Sequence, residues 1–397
     1  MRYTALILFA ILIVLDFIAC WRILRSLLSK SKKKYIITAI IFSNIFIFIT
    51  PLFMLLFNDG NNNSEVTKII MTIITLFILL SLIKLTVYIY WLPSSSKKLL
   101  YAGFISAAVV SLFYLYGVFV TRTDYHVKEL ALEFENLPEG FNGYKIVFIS
   151  DIHLGTMYNP QKELEKLTGV IENINADVLM FGGDLVNVNY KEITPEVLQF
   201  LERIRCKEPT LAVLGNHDTG TYMFDTASCS MSVNIANIKE RLETASWRLL
   251  MDSTIYLYKG KDSVAVTGID YNKQLLRYKH SFDNISDYNF DRIFSSVDED
   301  IFNITISHLP QLWGVLSSNG YSDLTLSGHI HAMQCKLNVF GYDFSPAMFM
   351  YKEWSGGYEN LKGKLYINDG IGNVGFFARI GARPEITVIT LYKKIRE

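Results

Sequence analysis

Four long apolar stretches in the first 120 residues constrain the fold of this chain more than any other feature of its sequence. They cover roughly residues 4–21, 35–57, 69–92 and 99–120. Each approaches or exceeds the length of about 20 residues that a helix needs to cross the hydrocarbon core of a bilayer. Basic residues follow the first stretch and no small-residue cleavage site does, which favours an anchor over a signal peptide. The sequence therefore predicts a four-helix transmembrane anchor over residues 1–120 and a separate domain over residues 121–397.

Two of the stretches contain a charged residue, Asp16 in the first and Lys84 in the third. A charge at the bilayer centre is costly. Lys84 lies near one end of its stretch, so we expect its ammonium group to reach the interface. We expect Asp16 to face the helix bundle, and both residues to be structural.

The connections between the stretches differ in charge. The first carries six basic residues between positions 22 and 34, and the third carries Lys97 and Lys98. The second, NDGNNNSE, is slightly acidic. The positive-inside rule places the first and third connections in the cytoplasm. Four spans would then leave both termini, and the domain over 121–397, on the extracytoplasmic side of the membrane.

Charge and cysteine content exclude several classes of protein. The chain has 38 acidic and 38 basic residues, so nothing in its net charge predicts nucleic-acid binding. No C-x-x-C spacing relates its four cysteines, which argues against a zinc knuckle or a thioredoxin motif. A single Cys206–Cys229 bridge remains open for an extracytoplasmic domain.

The second part of the chain reads as an α/β domain. Continuous apolar runs of strand length are typical of strands that are buried on both faces. These runs are 145–150, 178–183, 210–215, 265–269, 302–307 and 324–328. Helices are predicted over 161–173 and 192–205, and the polar stretch 271–300 is predicted to be a loop or a small insertion.

Most of the histidines follow these runs directly. The motifs are SDIHLG, GGDLV, GNHD, SHLP and SGHIH. They contain Asp151, His153, Asp184, Asn216, His217, Asp218, His308, His329 and His331. The carboxyl ends of strands are where open α/β sheets gather ligands, and a mixed set of imidazoles and carboxylates suits Mn, Fe, Zn or Co better than Ca.

The spacing within the motifs supports a shared site. Residues i and i+2 of a strand end point the same way, so Asp151 with His153, and His329 with His331, can reach one ion together. Asp184 can bridge two ions, and glycines at 182, 183, 215 and 328 let the backbone turn sharply beside them. Two ions roughly 3.5–4 Å apart would clamp a phosphate and generate a hydroxide nucleophile.

Each motif alone has an ordinary structural explanation. An isolated Gly-Asp marks a turn, and an isolated histidine after a strand is usually a hydrogen-bonded structural residue. All five motifs together are not explained this way, because burying so many polar groups without metals is costly. His126 and His280 lie outside the set and are interpreted as surface residues.

Taken in order, the motifs D-x-H, G-D, G-N-H-[DE], H and G-H-x-H resemble the signature of the calcineurin-like metallophosphoesterase superfamily over about residues 144–335. This resemblance implies two packed mixed β-sheets flanked by helices and a centre of two divalent ions, Mn, Fe or Zn, with Mn favoured. It implies one ion held by Asp151, His153, Asp184 and His331. It implies a second held by Asp184, Asn216, His308 and His329. His217 would act on the transition state or the leaving oxygen, with Asp218 orienting it.

The entry segment ENLPEGFNGYKIVFISDIHLG and the tail LYINDGIGNVGFFARIGARPEITVITL resemble a narrower branch of membrane-associated phosphodiesterases. That branch includes a UDP-2,3-diacylglucosamine hydrolase. Its last motif usually continues G-H-x-H-G-G-Q, whereas this chain has Ala332 and Met333 in place of the two glycines. Side chains at these positions are expected to reshape the rim of the pocket.

The expected function is therefore a membrane-anchored phosphoesterase, with a phosphodiesterase acting on a lipid-linked or envelope-associated phosphate ester as the first choice. A nucleotide-lipid pyrophosphatase becomes the first choice if the domain is cytoplasmic. A non-catalytic membrane scaffold or receptor is the third possibility. Oligomeric state is not predicted by the sequence.

Overall fold

A computed structural model describes residues 2–25, 29–56, 64–93, 96–220, 222, 229–271, 289–298 and 300–395. The chain divides into two compact units. The helical unit comprises the N-terminal helices together with Gly375–Ala378. The sheet unit comprises Thr121–Val374 and Arg379–Glu397.

Four long helices form most of the helical unit. They are α1 (Arg2–Arg25), α2 (Lys30–Leu56), α3 (Ser64–Trp91) and α4 (Lys97–Phe119). Within the described residues, two segments have the length and apolarity of membrane spans: Ser64–Trp91 and Lys97–Thr123. All four predicted apolar stretches thus fall largely on helices, but four transmembrane spans are not confirmed.

The two charged residues of the predicted apolar stretches, Asp16 and Lys84, contact each other. Lys84 Nζ lies 2.8 Å from Asp16 Oδ2 and 2.7 Å from Asn44 Oδ1. The hydroxyl of Tyr88 also donates to the carboxylate of Asp16, and Asp16 is 3% exposed. Asp16 therefore faces the bundle as expected. The expectation that Lys84 extends to the interface is wrong, because a buried carboxylate stabilises the ammonium group where it is.

The first sheet of the sheet unit has the order β1-β14-β2-β3-β4-β5. Its strands are β1 (His126–Phe134), β2 (Tyr144–Ile149), β3 (Val178–Phe181), β4 (Thr210–Ala212), β5 (Trp247–Leu249) and β14 (Glu385–Lys393). From β2 to β5 neighbouring strands are parallel. Strand β14 is antiparallel to β2 and parallel to β1, which makes the sheet mixed.

The second sheet has the order β12-β13-β9-β8-β7-β6. Its strands are β6 (Ser253–Lys259), β7 (Asp262–Ile269), β8 (Asn303–Ser307), β9 (Leu324–Ser327), β12 (Gly356–Asn360) and β13 (Gly363–Ile367). The four central strands are parallel and each edge strand is antiparallel to its neighbour. Strands β10 (Leu337–Val339) and β11 (Tyr342–Phe344) form a separate two-stranded ribbon.

The described residues of the sheet unit also form five α-helices: α5 (Pro160–Glu172), α6 (Pro195–Arg203), α7 (Met231–Thr244), α8 (Phe290–Phe294) and α9 (Trp313–Ser318). Helices α5 and α6 lie where the sequence predicts them, with the second shorter at both ends. Each begins with proline after a capping side chain, Asn159 for α5 and Thr194 for α6. This arrangement satisfies a backbone N–H that has no partner within the helix.

The central strands are buried on both faces, which explains their continuous apolar sequence. In β2, Ile146 and Phe148 belong to the cluster shared with the second sheet, together with Ile304 and Leu326. Val147 and Ile149 belong to the cluster that contains residues of α5, α6 and α7. The two packed, mixed sheets with flanking helices agree with the predicted fold class.

Two smaller expectations have separate outcomes. Within the polar stretch 271–300, residues 272–288 and 299 lie outside the described residues, while α8 packs through Phe290 and Phe294 beside Leu312. All four cysteines are free thiols, so the Cys206–Cys229 bridge is not formed.

Candidate metal centre

The predicted site residues converge at the carboxyl ends of five strands. Strand β2 leads to Asp151 and His153, β3 to Asp184, and β4 to Asn216. In the second sheet, β8 leads to His308 and β9 to His329 and His331. Because the two sheets pack together, these ends meet at one edge of the domain.

The backbone of the site is strained at its candidate ligands. Asp151, His153, Asp184, His329 and His331 all have positive φ, from 46° to 74°. Residues other than glycine rarely adopt this left-handed region, and such strain is concentrated at functional sites. The strain turns each side chain inward at the point where its strand ends.

Two glycines are required by close approach rather than by backbone freedom. A Cβ on Gly215 would lie 2.1 Å from Asp184 Oδ1, and a Cβ on Gly328 would lie 2.2 Å from Asp151 Oδ2. Among the four glycines beside the site, Gly183 is the one with positive φ, at 91°. Sharp turning therefore explains Gly183, while Gly215 and Gly328 make room for the carboxylates.

The first cluster contains Asp151, His153 and His331, whose candidate ligand atoms lie within 4.8 Å of one another. The Nε2 atoms of the two histidines are 3.2 Å apart, and His331 Nε2 is 3.2 Å from Asp151 Oδ1. His153 Nε2 is also 3.6 Å from Asp184 Oδ2.

The second cluster contains Asp184, His308 and His329. His308 Nδ1 donates to the carbonyl of Gly182 at 2.8 Å, so a neutral His308 has a lone pair on Nε2. That lone pair faces Asn216 Oδ1 at 2.9 Å and Asp184 Oδ2 at 3.2 Å. His329 Nδ1 lies 3.2 Å from the same nitrogen.

This convergence tests whether the residues fit a cation. Around His308 Nε2, oxygen and nitrogen lone pairs point at each other within hydrogen-bond distance, an arrangement that repels unless positive charge lies between them. Asp184 Oδ2 is near both clusters, at 3.6 Å from His153 Nε2 and 3.2 Å from His308 Nε2. The donor set therefore fits two neighbouring divalent ions.

The electrostatics of the site also favour positive charge. Burial alone would lower the pKa of His308, but the carboxylate and hydrogen bond of Asp184 outweigh it and raise the pKa to about 9. Burial and the charge of His308 lower the pKa of His329 to about 3. Burial alone would raise the pKa of Asp151, but His331 holds it below its usual range. A divalent ion would replace the proton of His308 and bind beside the ionised carboxylates and the neutral imidazole of His329.

His217 and Asp218 have different partners from those expected. His217 Nδ1 donates to the carbonyl of Asn187 at 2.6 Å, and its ring meets the ring of His153 edge-on. The Asp218 carboxylate accepts backbone N–H groups, from Asp184 at 2.7 Å, from Gly215 at 2.9 Å and from Val186. Asn187 thus orients the imidazole, and Asp218 holds together the loops that carry the site.

Two further residues contact the site without any signal in the predicted motifs. Tyr222 stacks on His217 with ring centroids 4.2 Å apart, and its hydroxyl accepts from Asn216 Nδ2 at 3.0 Å. Arg379 is fully buried, with Nη2 at 3.3 Å from His331 Nδ1. Neither residue is adjacent in sequence to the residue it contacts, so spacing alone could not identify it.

Imidazoles and carboxylates gathered at the strand ends of a two-sheet α/β domain define a metal-dependent hydrolase. Residues 144–333 match the calcineurin-like phosphoesterase family. This match assigns residues 144–333 of the sheet unit to a calcineurin-like phosphoesterase domain, which supports a metal-dependent hydrolase of phosphoric esters.

Individual relatives agree with this class. An uncharacterized metallophosphoesterase of Bacillus subtilis, YkuE, is 29% identical over 285 residues, covering 70% of this chain and 87% of that protein. A transmembrane protein with metallophosphoesterase domain from Danio rerio is 24% identical over 287 residues, covering 70% of this chain and 60% of that protein. The UDP-2,3-diacylglucosamine pyrophosphatase LpxG of Chlamydia trachomatis is 40% identical over 92 residues, covering 22% of this chain and 27% of that protein. Together with the two apolar helices, these likenesses indicate membrane association.

Proposed function

We propose that this chain is a membrane-anchored phosphodiesterase that uses two divalent ions to hydrolyse a lipid-linked or envelope-associated phosphate ester. The observation that supports it most is the position of Asp184 Oδ2 near an imidazole nitrogen of each cluster. One carboxylate between two donor sets is suited to bridging a pair of ions. We assign Asp151, His153, Asp184 and His331 to one ion, and Asp184, Asn216, His308 and His329 to the other.

The ions, when bound, supply Lewis-acid charge to the phosphoryl oxygens and acidify water near neutral pH. The chain supplies geometry and proton control. The Asn187 carbonyl keeps a proton on Nδ1 of His217, so Nε2 is the nitrogen that can carry a second proton. In that form His217 stabilises charge on the phosphoryl group or protonates the leaving oxygen. Mixed nitrogen and oxygen donors suit manganese, iron and zinc, and manganese is the metal that we propose to test first.

We also propose that all four N-terminal helices form the membrane anchor and that the catalytic domain begins after residue 120. Charge in the first and third connections favours an extracytoplasmic sheet unit. A reporter fused after residue 130 tests this placement. A cytoplasmic reporter would make a nucleotide-lipid pyrophosphatase the leading function, in line with the partial likeness to LpxG.

The central experiment compares hydrolysis of bis-p-nitrophenyl phosphate with that of the monoester, using the full chain in detergent with added manganese. Metal content per chain is measured in parallel. Wild type is expected to bind two ions and cleave the diester faster. Asp184→Asn should lose metal and activity, whereas Glu240→Gln, the same kind of change at an exposed position of helix α7, should lose neither.

A third variant separates metal binding from proton control. His217→Ala should retain both ions and slow turnover by about a hundredfold or more. Full activity in His217→Ala would refute the role of this residue. Absence of stoichiometric metal and of turnover in wild type would favour the scaffold reading instead.

A further inference from the structure

An apolar hairpin follows the last histidine motif directly. We define it as residues 337–350, which contain the ribbon β10–β11 and the turn Pro346–Phe349. Phe340 is 97% exposed and Phe349 is 86% exposed. Exposed apolar groups in this number within one short segment mark an interaction site rather than ordinary surface.

The ribbon has one apolar and one polar face. Cross-strand pairing places Leu337 opposite Phe344 and Val339 opposite Tyr342, all on the same side and all exposed. On the other side Asn338 donates to Asp343 at 2.7 Å. Asp343 is the single charged residue of the segment. Such a distribution is typical of an element that lies in a membrane interface with its polar face in water.

The turn at the tip of the ribbon contains a phenylalanine in a strained backbone conformation. Phe340 and Gly341 form its two-residue turn, with φ of 52° and 87°. Two consecutive residues with positive φ form the type of turn that favours Asn-Gly. A phenylalanine in this position is strained and also exposed, so the structure presents an aromatic ring outward where a polar residue would fit better.

The base of the hairpin is fixed to the metal centre. Ser345 is buried, and its hydroxyl donates at 2.7 Å to the carbonyl of Ala332, the residue after His331. The same hydroxyl accepts from Ala347 N at 3.0 Å. Lys336 N donates to Ile380 O at 2.8 Å, which secures the start of the ribbon. These hydrogen bonds therefore attach the hairpin directly to the loop that contains His331.

A lipid bilayer is the occupant that the chain favours. The candidate span Lys97–Thr123 ends two residues before β1 begins at His126. Two residues reach about 7 Å when extended, so β1 begins within a short length of chain from the end of this candidate span. A stable protein interface takes about 20–30 residues a side, and the hairpin is about half that length. Aromatic and aliphatic side chains are also what anchor elements at bilayer interfaces.

We propose that the apolar hairpin inserts into the bilayer interface and holds the metal centre at headgroup level. The substrate is then a phosphate ester whose lipid part stays in the membrane during hydrolysis. This inference rests on the proposed phosphodiesterase function for its substrate, but not for its account of the hairpin.

The first test measures insertion without measuring activity. Full chain carrying Phe340→Trp is placed in vesicles of three parts phosphatidylethanolamine to one part phosphatidylglycerol, with or without lipids brominated near the top of the acyl chain. The added fluorescence should be quenched by bromine. Leu361→Trp, at the exposed tip of the β12–β13 turn, is the matched control and should add unquenched fluorescence. Equal quenching of both variants, or of neither, overturns insertion; quenching of neither leaves a protein partner as the cover of the hairpin.

The second test measures the consequence for the substrate. Phosphatidyl-p-nitrophenol in the same vesicles and soluble bis-p-nitrophenyl phosphate share a leaving group and differ in lipid presentation. Combined Phe340→Ser and Phe349→Ser should lower the rate on the vesicle substrate at least about tenfold, since each buried phenylalanine contributes more than a factor of ten. The rate on the soluble diester should not change, and Leu361→Ser should change neither.

Outcomes for the two proposals are distinct. Loss of both rates in the double variant, or an unchanged rate on vesicles, overturns the role of the hairpin in substrate access. No hydrolysis of either compound by wild type refutes the phosphodiesterase function, and the quenching result still decides whether the hairpin inserts.

Discussion

Gly328 approaches Asp151 so closely that a Cβ on the glycine would lie 2.2 Å from Oδ2 of the carboxylate. The backbone N–H of the next residue, His329, donates to both oxygens of the same carboxylate at 3.1 Å. The second sheet therefore holds a candidate metal ligand that belongs to the first sheet.

Replacement of Gly328 by alanine should displace Asp151 and weaken metal binding. Loss of a group that positions a ligand typically lowers metal affinity about 10–100-fold. Metal content at limiting manganese and diester hydrolysis would both fall. Gly169→Ala, in helix α5 with open space at the Cβ, is the control and should retain both properties. Unchanged manganese affinity in Gly328→Ala would contradict this account.

Arg379 connects the chain after β13 to the metal centre. Its guanidinium donates to the carbonyls of Gly372 at 3.0 Å, Asp369 at 2.9 Å and Ala382 at 3.1 Å, and also approaches His331. Lysine cannot reproduce this fork of donors. Arg379→Lys should lower stability by at least about 2 kcal/mol, because buried carbonyls lose their partners.

Thermal unfolding in detergent, followed alongside metal content, measures this effect. Arg203→Lys is the matched control, because Arg203 pairs with Glu165 and Glu172 at the surface, where such pairs contribute about 0–1 kcal/mol. Equal decreases in the unfolding temperature of the two variants would show that the buried position of Arg379 has no special importance for stability.

Glu192 makes stability depend on pH. Its carboxylate accepts from Gly155 N at 2.8 Å, Asn187 N at 2.6 Å and Val188 N at 2.8 Å. Burial raises its pKa to about 7 even though these hydrogen bonds oppose the shift. The folded state therefore binds this proton more tightly than the unfolded state, whose pKa is near 4.5. Linkage requires the contribution of Glu192 to stability to decline as pH rises from about 4.5 to about 7.

The glutamine of Glu192→Gln cannot ionise, so the free energy of unfolding of this variant should depend less on pH between about 4.5 and about 7. Denaturation in urea at several pH values between those limits measures the slope for wild type and variant. Glu202→Gln, on the exposed side of helix α6, should leave the slope unchanged. An identical slope in wild type and Glu192→Gln would refute the assignment.

The buried ion pair between Lys84 and Asp16 should show strong energetic coupling. Lys84→Met leaves the Asp16 carboxylate without its ammonium partner, which is destabilising by about 3–5 kcal/mol for a buried pair. Adding Asp16→Asn removes the uncompensated charge and should recover much of the loss. The measurement is a double-mutant cycle on unfolding of the full chain in detergent. Additive effects of the two substitutions would mean that the pair contributes no interaction energy.

The local sequence was sufficient to predict the strands that lead to the site residues. Runs such as those ending before Asp151 and His308 are continuously apolar because both faces of their strands are buried, so each was visible without the fold. Edge strands gave a weaker signal. Strand β1 alternates between exposed and partly buried residues and contains several charges, and it was not predicted.

The sequence by itself determined which residue types stand at the strand ends, and with them the class of chemistry. Motif order was enough to assemble Asp151, His153, Asp184, Asn216, His308, His329 and His331 as one candidate set. Only the tertiary structure decided the contacts between segments that are distant along the chain. It assigned Asn187 rather than Asp218 to His217, and placed Arg379 beside His331. Periodicity records which face of an element is buried, whereas such contacts depend on how the two sheets bring loops of different origin to the same edge.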